Sequence, residues 1–427
     1  MNRETSLASF LNASVSAYHA VDEAKALLLA EGYTPLEETE EWRLEKGGKY
    51  FLVRNGASLL AFRIPKGKAT GFQIAAAHTD SPSFKYKKTF TSPAFTRLSV
   101  ERYGGPRNST WMDRPLSLAG RALVKKGDAV LSVTVDLKEP IGIIPTVAPH
   151  LLREAAENLA VDLVPFVDGE AGVCIEERLA ERLGVSSADI VGHDLYLYPV
   201  QQALCFGEKG AFISSPRLDD LQCVYGLLRG FIGAEENSAA IPLLALFDSE
   251  EVGSRTMQGA DSDLLSGTME RIAASLGASY PMLSAGSFFV SADNAHGLHP
   301  NHPELSDRNG LTCTLNGGVV IKRNASRRYT TDGLSEALFT LLCKEADVPV
   351  QLYANRPDQP GGSTLGAISD AHASVYSVDI GLAQLSMHSA VETAGTLDTA
   401  YLEKVMACFF SRSLARVKEG YAWQKQS

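Results

Sequence analysis

Three stretches of the chain run apolar and then turn abruptly polar. Gly71 to Ala77 leads into HTDSP, Ile241 to Phe247 into DSEEVGS, and Ser287 to Ala292 into DNAHG. A short unbroken apolar run bounded by polar residues is the pattern of a strand covered on both faces. Helical spacing of apolar positions predicts helices over Leu218 to Ile232 and Asp263 to Leu276, and a long one from Asp398 to Glu419 with a basic last turn. The N-terminal segment predicts one amphipathic helix. From about residue 91 to 210 the texture changes, with alternating runs such as Ala129 to Leu137 (AVLSVTVDL) and the Pro-rich EPIGIIPTVAPH, which predict β structure and turns. The expected layout is α/β: a mostly parallel mixed sheet flanked by helices, built from residues 1–90 and 211–427, with a β-rich domain of residues 91–210 inserted. In such sheets, residues at the carboxyl ends of strands converge on a crevice.

The chain has 427 residues, beyond the ~250 to 300 at which one core stops growing, so two domains are expected. Hydrophobic residues at 45% and charged ones at 21% place it among ordinary globular proteins. A net charge of -10 with no compensating Lys/Arg-rich arm argues against a nucleic-acid partner and for small substrates. No run approaches ~18 apolar residues and the N-terminus lacks an apolar signal core, so neither a membrane span nor secretion is expected. Cys174, Cys205, Cys223, Cys313, Cys343 and Cys408 form no CxxC pair, which predicts buried free thiols in the cytoplasm rather than disulfides or a thiolate zinc site.

Each polar segment offers chemistry with a bland alternative beside it. His78 with Asp80 two residues on could be a metal ligand and the carboxylate that orients it, or a satisfied turn histidine. Asp219 and Asp220 could include a carboxylate bridging two cations, or could simply meet a helix dipole. The crowd of Asp248, Ser249, Glu250 and Glu251 at a strand end calls for a bound cation or a carboxyl of raised pKa. SADNAHGLHPNHPE adds Asp293 with His296, His299 and His302, and LSMHSAVET adds His388 in a polar turn. Together His78, Asp219, Glu251, Asp293 and His388 make a sulfur-free set of two histidines and three carboxylates that suits a pair of zinc ions. Two ions ~3.5 to 4 Å apart can polarise a carbonyl and activate water.

HTDSP, SPRLDDL, FDSEEVGS, SADNAHGLHPNHPE and SMHSA, in this order and across nearly the whole chain, resemble the aspartyl aminopeptidase family of dizinc metallopeptidases. The resemblance implies two Zn(2+) per subunit, with manganese or cobalt as possible substitutes. His78 and Asp293 would complete one zinc and Glu251 and His388 the other, with Asp219 bridging. Glu250 would be the general base and Asp80 would orient His78. It further implies that His150, in TVAPHLL, serves the neighbouring subunit's active site, and that Lys322 meets an acidic substrate side chain. Tyr329 and Met387 join the expected substrate contacts. Without the resemblance, His150 reads as a loop histidine and Lys322 as a solvated strand lysine. The pattern departs at Arg327, where similar enzymes carry Gln, and at Gly361, where they carry Cys.

The implied activity is hydrolysis of N-terminal peptide bonds, acidic residues preferred, by a dodecamer built from dimers through the inserted domain. Rivals are an aminopeptidase of neutral or basic preference, a related dizinc deacylase or carboxypeptidase, and a catalytically silent assembly protein.

Overall fold

The structure is a computed structural model that describes residues 6–425 except 93, 152–157, 170–171, 238, 308–309, 360 and 363, and omits the side chains of 159, 370 and 371. The apolar runs form the centre of a nine-stranded mixed sheet. Its order is Thr34–Pro35, Lys49–Arg54, Ser58–Arg63, Ala240–Phe247, Gly71–His78, Phe288–Ala292, Tyr376–Gly381, Val319–Arg323 and Val350–Ala354. Gly71–His78 is parallel to both neighbours, with His78 opposite Phe247 and Ala76 opposite Ser291. All eight of its residues are buried. Alternate positions serve two cores: Ala75 and Ala77 face the helices Leu218–Gly233 and Thr396–Phe410, while Ile74 and Ala76 face Leu264–Ser275.

Those first two helices approach closely because small residues line the seam. A Cβ at Gly226 would lie 2.6 Å from Leu402 Cδ2, and one at Gly230 would lie 2.6 Å from Met406 Cβ. Any larger residue at either position would push apart Leu218–Gly233, near whose start Asp219 stands, and Thr396–Phe410.

A second, six-stranded sheet is wholly antiparallel, in the order Ala129–Asp136, Leu116–Lys126, Ile190–Pro199, Ser83–Ser92, Phe95–Tyr103, Phe166–Asp168. It has its own core around Phe84, Trp111, Leu118 and Leu195. Its first strand starts at Ser83 and the strand Ile190–Pro199 closes it in sequence. A third sheet joins Leu204–Phe206, Phe212–Ser215, Glu392–Gly395, Ala383–Leu385 and Ala295–His296, and so ties together the segments beyond Asp293 and around His388.

Three expectations change. The C-terminal helix spans Thr396–Phe410 only, and Arg412–Val417 pairs with Gly420–Lys425 as a hairpin. Leu414 is buried and the Trp423 indole donates to the Leu338 carbonyl, so packing against the core overrides the helical spacing of this stretch. The N-terminal segment is two helices, Leu7–Ala13, capped by Ser6, and Ala17–Ala30. All six cysteines are free, but only Cys223, Cys313 and Cys343 are buried and Cys205 is exposed. Among the described residues no helix is long and apolar enough to cross a membrane.

Candidate active site

Three neighbouring strands deliver their carboxyl ends to one place. Gly71–His78 ends in His78, Phe288–Ala292 is followed by Asp293, and Ala240–Phe247 leads into the 3-10 turn Glu250–Val252 that carries Glu250 and Glu251. Asp219 arrives from the start of Leu218–Gly233, but its backbone is not helical (φ −83°, ψ 108°), nor is that of Asp220. The helix-dipole account of this pair therefore does not apply. His388 stands in the turn between Ala383–Leu385 and Glu392–Gly395, with φ at 66°.

The side chains meet around Asp219. Its Oδ1 lies 3.4 Å from His78 Nε2 and its Oδ2 lies 3.5 Å from His388 Nε2, which is itself 3.4 Å from Glu251 Oε1. Among the described residues three overlapping groups are tight enough to hold a metal ion: His78, Asp219 and Asp293; Asp219, Glu251 and His388; and His78, Glu250 and Glu251. Asp219 Oδ1 and Glu251 Oε1 are buried without a hydrogen-bond partner. A buried polar atom left unpaired is costly, and a carboxylate more so, unless a cation sits beside it.

The protonation equilibria point the same way. Burial, then Asp219, push Glu251 well above the usual carboxylate range. Burial also raises Asp293, against the pull of Lys322. Burial disfavours charge on His388, but Asp219 and Glu251 outweigh it and lift the imidazole to about 10. His78 is raised well above its ordinary value because Asp219 and Asp80 outweigh burial in the same way. Asp219, facing both imidazoles, is lowered despite its burial. Burial among like charges thus favours protons on Glu251 and Asp293 where no cation is bound, and metal binding would release them. A set of imidazole and carboxylate donors without sulfur fits zinc.

The surroundings hold these groups in aim. His78 Nδ1 donates to the Asp80 carbonyl at 3.0 Å, leaving Nε2 free to ligate, while the Asp80 carboxylate is 3.5 Å away. Asp80 thus orients His78 chiefly through its backbone. Its carboxylate instead accepts from the amides of Glu250 and Glu251, each at 3.1 Å, and from the Tyr103 hydroxyl at 2.8 Å. Glu392, absent from the sequence reading, accepts from the amides of Asp219 and His388 at 3.0 and 2.7 Å. A carboxylate four residues after a candidate ligand was the available signal.

The cluster opens into a cavity of about 170 Å³ that Lys322, Tyr329 and Met387 also line. Lys322 is 3% exposed, its Nζ 3.5 Å from Asp293 Oδ2 and 5.5 Å from the centre of the Tyr329 ring. Burial opposes its charge, but Asp293 and Tyr329 favour it more, so its pKa is raised. His296, Tyr353 and Thr364 line the cavity as well, the last two without any sequence signal. Arg327 points elsewhere, toward the carbonyls of Thr330 and Thr331. His299 and His302 stand beside each other outside the cavity, His302 paired with Glu304. His150 lies in an exposed turn and does not enter the cavity of its own chain.

Buried carboxylates with His78 at the strand ends of an α/β sheet, joined by His388 from a turn, form the donor set of a metallohydrolase. Residues 10–410 match the family described as aminopeptidase I zinc metalloprotease (M18). A probable M18 family aminopeptidase 2 of Clostridium novyi (strain NT) is 40% identical over 425 residues, covering 95% of this chain and 98% of the relative. The crystal structure of yeast aminopeptidase 1 (Ape1) superposes with a TM-score of 0.85 at 28% identity, covering 95% of each chain. The S. cerevisiae mApe1 dodecamer gives the same values. The chain belongs to the M18 family and is a zinc aminopeptidase.

Proposed function

We propose that the protein removes acidic residues from peptide N-termini with two zinc ions per subunit. His78 and Asp293 would hold one ion, Glu251 and His388 the other, and Asp219 both. The observation that carries this reading is the division of Asp219, one oxygen toward each imidazole. Zinc held there would act as a Lewis acid toward the scissile carbonyl and lower the pKa of the attacking water.

Glu250 takes the proton from that water and returns it to the leaving amine. Without metal, burial lifts Glu250 to about 8 against the pull of His78; cations beside it would bring that down and leave a carboxylate able to accept a proton. The geometry also places Glu250 with His78 and Glu251 in a group able to hold an ion, and the zinc content of Glu250→Gln decides between base and ligand. Lys322, nearly inaccessible to solvent yet lining the cavity, is suited to pair with a substrate carboxylate in a dry environment, where such a pair is strong. Tyr329 flanks it, and Met387 forms an apolar part of the wall.

His150 would act in a neighbouring subunit. Support comes from its exposure in a turn flanked by Val147 and Leu151, 50% and 83% exposed, on the β-rich region of residues 91–210 that would form the dimer. The dodecamer of the yeast relative supports a shell of the same number here. Free thiols throughout fit a cytoplasmic setting.

The test is a zinc count on purified protein together with rates on Asp-, Glu-, Leu- and Lys-anilides and on N-blocked peptides. Two zincs, preference for Asp and Glu, and failure on blocked substrates are expected. Equal or faster turnover of Leu or Lys would overturn the acidic preference. Cleavage of blocked peptides would point to a deacylase or carboxypeptidase, and a zinc-free inactive chain to an assembly protein.

A further inference from the structure

None of the five candidate ligands comes from the antiparallel sheet, yet the segment that leaves its strand Phe95–Tyr103 runs directly along them. The Tyr103 ring packs edge-on against Tyr196 of the same sheet, with centroids 5.2 Å apart, and its hydroxyl donates to Asp80 Oδ2 at 2.8 Å. Asp80 is the residue whose carboxylate holds the amides of Glu250 and Glu251. Gly104, with φ at 68°, lies so near Glu251 that a Cβ there would sit 3.0 Å from Glu251 Cβ and 3.1 Å from its Oε2. The Gly105 carbonyl accepts from His388 Nδ1 at 3.1 Å, and a Cβ on Gly105 would stand 3.2 Å from that same nitrogen. Further on, the Arg107 amide donates to the His388 carbonyl at 2.9 Å, and Thr110 Oγ1 accepts from the Ala390 amide at 2.9 Å.

His388 needs this grip more than His78 does. His78 ends a central strand with neighbours on both sides, whereas His388 sits in a turn, its side chain 34% exposed. A partner on one imidazole nitrogen fixes the tautomer and aims the other at a metal, and here that partner is the Gly105 carbonyl. The two glycines leave room for Glu251 and His388 against the backbone.

We infer that Tyr103–Gly105, contributed by the antiparallel sheet, is a positioning element that aims Glu251 and His388 and so sets the hold on one of the two zinc ions. The inference rests on the metal pair of the preceding section. It assigns to the β-rich region a part in the chemistry of its own chain, separate from any contact between subunits.

Gly105→Ala is the clean probe, because the φ at this residue is not in the left-handed region and the added methyl meets little but the imidazole. Zinc retained per subunit would be measured against graded chelator, with thermal unfolding of the zinc-stripped protein as the control for fold. One zinc should be lost at chelator activities ~10- to 100-fold lower than in the parent, the other should be held as before, and the stripped protein should unfold at the parent temperature. Tyr103→Phe keeps the ring and deletes the hydroxyl. It should also weaken zinc retention, and it decides the matter alone if Gly105→Ala does not fold. Retention of both ions at parental affinity in the two variants overturns the inference, as does equal weakening of both ions with a matching loss of stability in the stripped protein. A parent chain that takes up fewer than two zincs would sink the metal-pair reading and this inference with it. A two-zinc parent with indifferent variants sinks the inference alone.

Discussion

Lys322 Nζ stands 3.5 Å from Asp293 Oδ2, so the cation proposed to greet a substrate's carboxylate is already engaged by a carboxylate proposed to hold metal. Zinc drawing charge from Asp293 would free the ammonium for substrate, which couples acidic preference to metal occupancy. Lys322→Leu should lower kcat/KM for Asp and Glu substrates by about 2 to 5 kcal/mol and leave Leu or Ala substrates nearly unchanged. Arg327→Gln is the control, since that guanidinium faces the Thr330 and Thr331 carbonyls. A loss of acidic preference in Arg327→Gln but not in Lys322→Leu would show the lysine to be misassigned.

Glu250→Gln should keep both zincs and lose ~10²- to 10⁴-fold in kcat, the usual worth of general-base catalysis. Zinc analysis settles the role that distance leaves open: a variant lacking one ion would make Glu250 a ligand.

Asp219→Ala removes the carboxylate that faces both histidines, and should leave fewer than two zincs per subunit together with little activity. Full occupancy and a normal rate would take Asp219 out of the site.

His150→Phe should be inactive although His150 does not line the cavity of its own chain. Subunits carrying Glu250→Gln, mixed with His150→Phe subunits and allowed to exchange, should recover part of the rate because some sites draw both intact groups. Verified exchange without recovery would confine His150 to its own chain or to no role.

Zinc removal should make stability depend on pH. Glu250 and Glu392 rise from an ordinary 4.5 to about 8, mainly through burial, so the folded chain keeps protons there that the unfolded chain has released. Stability contributed by such groups is full below 4.5 and lost as pH rises through about 8. His388, raised to about 10 by Asp219 and Glu251 against burial, acts in the same direction above its ordinary 6.5. Asp219 is lowered and acts oppositely, but only in strong acid. The unfolding temperature of the stripped protein should therefore fall between about pH 5 and pH 8 more steeply than that of the zinc-loaded one. Parallel slopes would mean that these groups are not in the states assigned.

The strands behind His78, Glu251 and Asp293 were legible because a doubly covered strand must be apolar throughout and its polar end must then serve something. The Arg412–Val417 hairpin was not, since its residues keep a helical spacing and the extended form is selected by contacts with distant residues, among them Leu338, Asn237, Phe288 and Phe409. Tyr103, Gly104, Gly105 and Glu392 escaped for a related reason. Tyr103 reaches Asp80 through its hydroxyl, Gly104 and Gly105 act on the distant Glu251 and His388 through the lack of a side chain and through a carbonyl, and Glu392 holds the distant Asp219 amide. Of these only the four-residue step from His388 to Glu392 left a signal in the chain's own order.

The pairing of Gly71–His78 with Ala240–Phe247 makes everything between them, the antiparallel sheet included, a single long excursion from adjacent strands. Closing such an excursion costs less chain entropy when the intervening chain is already compact, and contacts between remote segments dominate slow folding. The residues that would hold zinc become neighbours only once this closure is complete. Zinc bound there would therefore latch a finished fold and not seed it. Refolding from denaturant should regain secondary structure at the same rate with zinc or with chelator, and acceleration by zinc would show that the ion gathers its ligands earlier.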